Sequence, residues 1–233
     1  HFAAWQGPTP DYDRSIRANA EATGLIMAHC RHATAALVAS TNSVYRPHTD
    51  PWHAYVEDDP LGDPTAPHSP TYAVSKVGQE AVARTMARAL GLPTTIARIN
   101  ASYGPNGGLP AYHCDAIAAG RAVPLRSPDR SPYSPIHEDD LAVQVVPLLD
   151  AAASPATIVN WCGDETVTAE QWCALFGERL GVEPELAYYD LPGSQPGSAA
   201  DPTKRRSLTG QCTVPWRDGM SALVDQRTRP ANG

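Results

Sequence analysis

Two short, unbroken apolar runs each follow a helix-like segment, and this alternation constrains the fold more than any other feature of the sequence. Residues 35–40 read AALVAS and residues 94–99 read TTIARI, as expected of strands buried on both faces of a parallel sheet. The segments before them, 11–30 and 72–90, have apolar residues at helical spacing. A third run, TIVNW at 157–161, follows another helical segment. The sequence therefore predicts an α/β fold with a parallel sheet.

Local signals predict where several helices begin and end. Ser69, followed by proline, is a candidate N-cap, and Gly91 is placed to end the same helix. Asp139 or Asp140 is expected to cap a helix that runs to about residue 150. Thr168–Gln171 matches a capping box. Weaker signals predict helices near 109–119 and 217–225, a strand at 185–190 and a loop at 46–70.

Composition excludes several classes of function. The 233 residues have a net charge of -7, which argues against a nucleic-acid partner. No run approaches the ~18 apolar residues of a membrane span, and no signal peptide is visible. The one basic run, residues 204–206, is expected to form a solvated turn. We therefore expect a cytoplasmic protein that binds neither membranes nor nucleic acid.

Five cysteines and eight histidines are scattered along the chain. The cysteines are odd in number and contain no Cys-x-x-Cys, so zinc and disulfide frameworks are both poorly supported. Buried free thiols in a reducing compartment are the expected state. The histidines lie next to cysteines in places but not at metal-ligand spacing, and we predict no metal site.

Tyr72 lies four residues before Lys76, in the stretch SPTYAVSK. Residues four apart project from the same face of a helix. A nearby ammonium favours the phenolate, so such a tyrosine can exchange protons with a substrate hydroxyl or carbonyl. Lysine is rare here, with only Lys76 and Lys204 among 18 basic residues. The alternative is a packed aromatic residue beside a surface lysine.

Hydroxyl side chains follow the first predicted strand directly. Ser40, Thr41 and Ser43 lie in the stretch VASTNSVY, at the carboxyl end of the strand, where open α/β sheets bind their ligands. The alternative is a polar strand end whose hydroxyls only cap the loop.

Taken together, these motifs resemble the extended short-chain dehydrogenase/reductases, the group of nucleotide-sugar epimerases and dehydratases. The resemblance covers nearly the whole chain, and the order and spacing of the motifs agree. The stretches that carry it are HFAAW, a helical Asn19, STNSVY, YAVSK, ARINASYGP, PIHEDDLA and DPTKRRSLTG.

The resemblance implies roles for individual residues. Tyr72 would be the acid/base, Lys76 would hold the nicotinamide ribose of NAD or NADP, and Thr41 would bind the reacting oxygen. The other residues implied to contact the cofactor are Ala3, Ala4, Ser40, Ile99 and Asn100. The residues implied to contact the substrate are Ser43, Tyr103 and Tyr133.

The chain also departs from the family pattern. It starts at His1 and contains no glycine-rich loop, so we expect it to begin partway through a Rossmann domain. Arg46 replaces a usual glycine, Ala101 takes the place of a substrate-contacting asparagine, and Tyr133 and Ser134 stand where the family often has an arginine for the pyrophosphate. Residues 1–104 are expected to be the C-terminal part of the dinucleotide-binding domain, and residues 105–233 mainly a small α+β substrate lobe with segments that return to the sheet.

The resemblance therefore implies an NAD(P)-dependent oxidoreductase or epimerase that acts on a small-molecule, sugar-like substrate. A reductase of small carbonyl compounds stays open because the pyrophosphate contact is lost. A cofactor-free binding or regulatory module on the same scaffold is the alternative from a different functional class. A homodimer stays open as the assembly.

Overall fold

The computed structural model describes residues 1–126, 131–189 and 191–228. The strands, in chain order, are β1 (Ala36–Thr41), β2 (Thr94–Ile99), β3 (Ser102–Gly104), β4 (Gly107–Gly108), β5 (Val123–Leu125), β6 (Pro132–Tyr133), β7 (Ile136–His137), β8 (Thr157–Trp161), β9 (Val167–Thr168) and β10 (Leu186–Tyr188). The helices are α1 (Tyr12–Ile16), α2 (Ala22–His29), α3 (Tyr72–Leu90), α4 (Leu109–Ala118), α5 (Glu138–Asp150), α6 (Ala169–Leu180), α7 (Thr203–Thr209) and α8 (Trp216–Thr228). The last residue of the strand expected at 185–190 lies outside the described residues.

The α/β fold with a parallel sheet is confirmed. The central sheet has the order β1–β2–β8, and both pairings are parallel. Thr41 pairs with Ile99, which pairs with Trp161, so the three strands end at a common carboxyl edge. This edge is where an open α/β sheet binds its ligands.

The helix expected at 11–30 contains a π-helical turn that the sequence did not reveal. This turn spans Arg17–Glu21 and joins α1 to α2. Asn19 lies in the turn and is buried. Its side chain accepts from the Trp5 backbone N (2.6 Å) and donates to the Trp5 carbonyl (2.9 Å) and to Ser75 Oγ (2.8 Å). Asn19 therefore ties the N-terminal segment to α3, in keeping with the frequent use of π turns at functional sites.

Helix α3 begins later than the sequence predicted. The N-cap is Thr71, so the assignment of Ser69 as the cap is wrong. The Ser69 carbonyl instead accepts from Tyr72 N (3.1 Å) and closes a turn before the helix. Thr71 forms no side-chain cap, since its hydroxyl bonds to that of Ser15 (2.5 Å). At the other end Gly91 is left-handed (φ 61°) and ends the helix as predicted.

The cap of α5 also differs from the prediction. The helix begins at Glu138, and the N-cap is His137, whose Nδ1 accepts from Asp139 N (3.2 Å). Asp140 accepts instead from the backbone N of Thr213 (2.6 Å), which holds a later segment against the helix start. The capping box at the start of α6 is confirmed.

The basic run at 204–206 is not a solvated turn. It lies in α7, and the Arg205 side chain is fully buried. Arg205 pairs with Asp164, and it also donates to the Gly210 carbonyl (2.6 Å). The carboxylate that allows this burial lies 41 positions earlier in the chain, so a local reading of the charges could not find it.

Two groups of apolar residues organise the chain. Small clusters pack on the central sheet, and they include Leu208 and Cys212 from late in the chain. A larger core forms beyond β2 from Trp172, Phe176, Ile117, Met220, Leu223 and their neighbours. The division into two domains at residue 104 stays a prediction.

The cysteines are all free thiols. Cys114, Cys162 and Cys173 are buried as expected, whereas Cys30 is exposed. Within the described ranges, no group of three or more histidine, cysteine or acidic residues could hold a metal ion. No helix in the same ranges combines the length and apolarity needed to cross a bilayer.

Candidate active site

Thr41 and Tyr72 meet at the carboxyl edge of the sheet. Thr41 is the last residue of β1, and its hydroxyl donates to Ser43 Oγ (3.3 Å) and accepts from Ser43 N (3.2 Å). Tyr72 is the first residue of α3. Burial raises the pKa of the Tyr72 phenol, and the nearby Thr41 hydroxyl partly offsets that rise. Two hydroxyls and a phenol are thus brought together at one point.

Lys76 lies one turn further along α3 and is only 2% exposed. Its Nζ donates to the Ala39 carbonyl (2.7 Å) and lies 6.0 Å from the centroid of the Tyr72 ring. Burial lowers the pKa of Lys76 to about 8, while the charge of Glu80 acts in the opposite direction. The alternative of a surface lysine is therefore wrong.

A buried ionic network lies beneath this pair. Glu80 accepts two hydrogen bonds from Arg98, from Nε (2.9 Å) and Nη2 (2.8 Å), and both side chains are 1% exposed. Ser40 Oγ donates to Glu80 (2.7 Å), so the side chain of this proposed cofactor contact is occupied in the interior. Arg98 also donates to Tyr45 Oη (2.9 Å), which donates to Asn160 (2.6 Å). The network fixes α3 against the ends of β1, β2 and β8.

Ile99 and Asn100 lie at the end of β2, as the resemblance implied. Ile99 packs against a cluster on the sheet. Asn100 is buried, and its side chain donates to the Ser198 carbonyl (2.6 Å) and accepts from Ser134 N (3.1 Å). Asn100 therefore holds two distant loop segments at the edge of the sheet.

The exposed residues Ala3 and Ala4 follow His1 along the outer side of β1. The His1 ammonium donates to the Leu37 carbonyl (2.8 Å), and the His1 carbonyl accepts from Ala39 N (3.1 Å). This is the bonding pattern of a parallel strand. The segment therefore runs toward the same carboxyl edge as Thr41.

A cavity of about 600 Å³ lies between this edge and the second core. Ser43 and Tyr72 line it from the sheet side. The opposite wall is formed mainly by apolar and aromatic residues that follow residue 104, namely Leu109, Tyr112, Ala116, Pro124, Leu125, Tyr133 and Tyr189. Its size is typical of a small-molecule site.

The two tyrosines expected to contact the substrate, Tyr133 and Tyr103, differ in position. Tyr133 lines the cavity and packs against Trp172, with ring centroids 5.3 Å apart. Tyr103 does not line it: the side chain is 1% exposed, lies in the second core and contacts His137 edge-on at 5.1 Å. Its role in the structure is packing, because a core position leaves no ring face for a ligand.

Three residues that the sequence did not single out also line the cavity: Arg126, His68 and His113. Arg126 donates to the Thr65 carbonyl (2.9 Å). Burial and, second, the charge of Arg126 lower the pKa of His68. None of the three belongs to a spaced motif, so no signal in the single sequence points to them.

Comparison with known proteins agrees with this architecture. The model of the NAD dependent epimerase/dehydratase family matches residues 1–160. The fold is similar to that of UDP-glucuronic acid 4-epimerase from Bacillus cereus, solved with UDP-glucuronic acid and NAD, at 21% identity and a TM-score of 0.80 over 97% of this chain and 73% of the epimerase. UDP-glucose 4-epimerase from Thermus thermophilus is similar at 22% identity and a TM-score of 0.77, over 98% of this chain and 76% of that epimerase. A double mutant of the dTDP-glucose 4,6-dehydratase DesIV from Streptomyces venezuelae is similar at 24% identity and a TM-score of 0.77, over 97% of this chain and 71% of the dehydratase.

No curated protein matches the sequence. At these identities the solved structures establish the shared fold alone. The family model, in contrast, covers more than half of the chain, including β1, α3 and β2 with their carboxyl edge. The chain therefore belongs to the NAD-dependent epimerase/dehydratase family.

Proposed function

We propose that the chain carries the acid–base site of an NAD(P)-dependent oxidoreductase or epimerase that acts on a hydroxyl or carbonyl group. The observation that supports this most is the contact of Thr41 with Ser43 and Tyr72, two residues that line the cavity. Lys76 lies one helical turn beyond Tyr72. This is the group of side chains needed to move a proton to or from a substrate oxygen.

The residues at this edge suit the nicotinamide-ribose half of the cofactor. The Lys76 ammonium has three donors. One is used by the Ala39 carbonyl, and no other described residue accepts from it. The remaining donors are available for ribose hydroxyls, and the three solved relatives named above contain NAD. When bound, the cofactor would accept and return a hydride at the carbon that bears the reacting oxygen.

Tyr72 Oη is the atom that exchanges the proton. It takes the proton from a substrate hydroxyl, or returns it to a carbonyl oxygen. Burial raises the pKa of Tyr72, and the Thr41 hydroxyl lowers it. The Lys76 ammonium, with its Nζ 6.0 Å from the centroid of the Tyr72 ring, is placed to favour the phenolate form as well. Thr41, which now donates to Ser43, can turn its hydroxyl hydrogen toward the same substrate oxygen.

Two substrate classes suit the cavity. Its volume of about 600 Å³ accommodates a sugar-sized group with room for a larger substituent. Nucleotide sugars are supported by the solved relatives with bound UDP-sugars. The apolar wall, and Tyr133 in place of an arginine, favour a less charged hydroxyl or carbonyl compound. Turnover of UDP-glucose and of cyclohexanone in parallel distinguishes the two classes.

Replacement of Tyr72 by phenylalanine tests the proposal. We expect Tyr72→Phe to lower kcat by roughly 10²- to 10⁴-fold, because the proton-transfer group is lost while the ring remains. Absorbance of the reduced nicotinamide measures turnover of cyclohexanone. Chromatographic separation of UDP-glucose from its epimer measures turnover of UDP-glucose, because epimerisation returns the hydride and leaves no net reduced nicotinamide. The matched control is Tyr12→Phe, since Tyr12 is 50% exposed on α1 and does not line the cavity.

Retention of kcat within threefold in Tyr72→Phe would contradict the assigned role. A protein that neither binds NAD(P) nor turns over any member of the panel would instead support the cofactor-free module. Calorimetric titration with NAD and NADP, run before the kinetics, separates these outcomes.

A further inference from the structure

His113 occupies a defined place in the wall opposite Tyr72. It lies on α4, is 8% exposed and lines the cavity. The indole Nε1 of Trp172 donates to its Nδ1 at 3.0 Å. An indole nitrogen can only donate, so Nδ1 must be the unprotonated, accepting nitrogen of the ring. The bond to Trp172 therefore fixes the tautomer of His113.

The consequence falls on the other ring nitrogen. A neutral imidazole that accepts at Nδ1 carries its hydrogen on Nε2. Within the described residues no group bonds to Nε2, and Nε2 is not among the enclosed polar atoms that lack a partner. It therefore keeps some exposure, and the open space that the ring borders is the cavity.

The ring is also held neutral. Burial lowers the pKa of His113 to about 4, and no carboxylate among the described residues pairs with it. The side chains next to it on α6 are Trp172 and the thiol of Cys173, whose Sγ lies 3.9 Å from Nδ1. A neutral N–H suits a hydroxyl or carbonyl oxygen, whereas a phosphate is better matched by a cation.

We propose that His113 determines substrate specificity by donating a hydrogen bond from Nε2 to an uncharged oxygen, hydroxyl or carbonyl, of the molecule bound in the cavity. The proposal rests on the proposed function, because it places that molecule between His113 and Tyr72. Leu109 and Leu125 line the same cavity, so the surface around the donor is largely apolar. A ligand without an acceptor there would leave a buried N–H unpaired, and such sites discriminate strongly.

Two substitutions separate this role from the structural bond to Trp172. His113→Asn places a carbonyl oxygen near the position of Nδ1, so it can still accept from Trp172, but it lacks a group at Nε2. His113→Gln places an amide N–H near the position of Nε2 but gives up the acceptor for Trp172. His29→Asn, on the exposed end of α2, is the matched control.

Binding of UDP-glucose and of cyclohexanone, measured by calorimetry and by nitrogen NMR of labelled histidine, provides the test. We expect the Nε2–H tautomer in the free protein and a shift of the His113 Nε2 signal with at least one probe at millimolar concentration. For that probe we expect roughly tenfold to hundredfold weaker binding in His113→Asn and a change below about threefold in His113→Gln.

Three outcomes would overturn the inference: an Nδ1–H tautomer, an Nε2 signal that neither probe moves, or equal loss of binding in both variants with unchanged binding in the control. Failure of the proposed function gives a different pattern. In that case Tyr72→Phe keeps its turnover, whatever the binding to His113 shows.

Discussion

The regions on the two sides of the cavity differ in how they accommodate buried ionisable groups. Behind the lining residues on the sheet side, Glu80 and Arg98 are both 1% exposed and stay charged, because two hydrogen bonds join them. We call this side the paired wall. On the opposite side, which we call the neutral wall, His113 is buried with no charged partner among the described residues, and its pKa falls to about 4. The difference follows from the cost of burying a charge, which is met either by pairing or by becoming neutral.

This contrast suggests a division of work. The paired wall can hold the Lys76 ammonium close to Tyr72. The negative charge of Glu80, one turn further along the same helix, favours this charged form. The neutral wall offers shape, aromatic surface and a single fixed N–H. We therefore expect proton transfer to depend on the first wall and selection among substrates on the second.

Removal of one partner from the paired wall should have the largest effect on stability. Glu80→Gln keeps the shape of the side chain but leaves the Arg98 guanidinium buried without a counter-ion. Breaking a buried pair in this way costs about 3–5 kcal/mol. Urea denaturation at pH 7 measures the free energy of unfolding.

Asp13→Asn is the control for this substitution, because it breaks an ion pair on the surface. The partners are Arg17, whose side chain is 68% exposed, and Asp13, whose side chain is 75% exposed. Such a surface pair contributes at most about 1 kcal/mol. A similar loss of unfolding free energy in both variants would show that the buried Glu80–Arg98 pair contributes no more to stability than a surface pair.

The neutral state of His113 should make the free energy of unfolding depend on pH. The pKa of His113 is about 4 in the folded protein, below the ordinary value of 6.5. The unfolded chain therefore binds more protons between pH 6.5 and 4, and stability falls as the pH drops through that window. We expect a loss on the order of 1–3 kcal/mol from this group.

His113→Gln cannot titrate, so it should flatten that part of the curve. Denaturation at pH 4.5 and 7 in both proteins gives the comparison. If the wild type and the variant lose equal stability between the two pH values, His113 is not held neutral.

The strands and the placement of Tyr72 and Lys76 on one helix were predictable because their signals are local. The run AALVAS marks β1 without help from distant residues, and a spacing of four places Tyr72 and Lys76 on one face of α3. The caps of α3 and α5 were predicted wrongly. At α5, for example, the side chain that forms the cap is the imidazole of His137, and histidine is not among the preferred N-cap residues.

Other features depend on partners far away in the chain. His113 acquires its tautomer from Trp172, 59 positions later, and Arg205 becomes buried through Asp164, 41 positions earlier. Tyr103 carries a motif that suggested substrate contact, yet the second core encloses it. Local pattern thus predicts which element carries a residue, whereas long-range packing decides the chemical state of its side chain.

The smallest expected effect is on the pH dependence of kcat and concerns Lys76. This residue shares a feature with each wall, because burial lowers its pKa, as for His113, while the charge of Glu80 opposes that shift, as for Arg98. Its pKa of about 8 lies below the ordinary value of 10.5. If the ammonium assists Tyr72, kcat should fall as the pH rises past 8, by about tenfold at pH 9 for full dependence on the charged form. A pH profile of kcat from 6 to 9.5 measures this.

Stability should move in the opposite direction over the same range. The unfolded chain binds more protons than the folded one between pH 8 and 10.5, so this group makes folding more favourable as the pH rises through that window. A fall in kcat therefore cannot come from unfolding that Lys76 causes. Lys76→Arg is the informative variant, since its charge persists at pH 9.5, and we expect a lower but flatter profile. An alkaline fall that is unchanged in Lys76→Arg would assign the titration to another group and leave Lys76 with a structural role only.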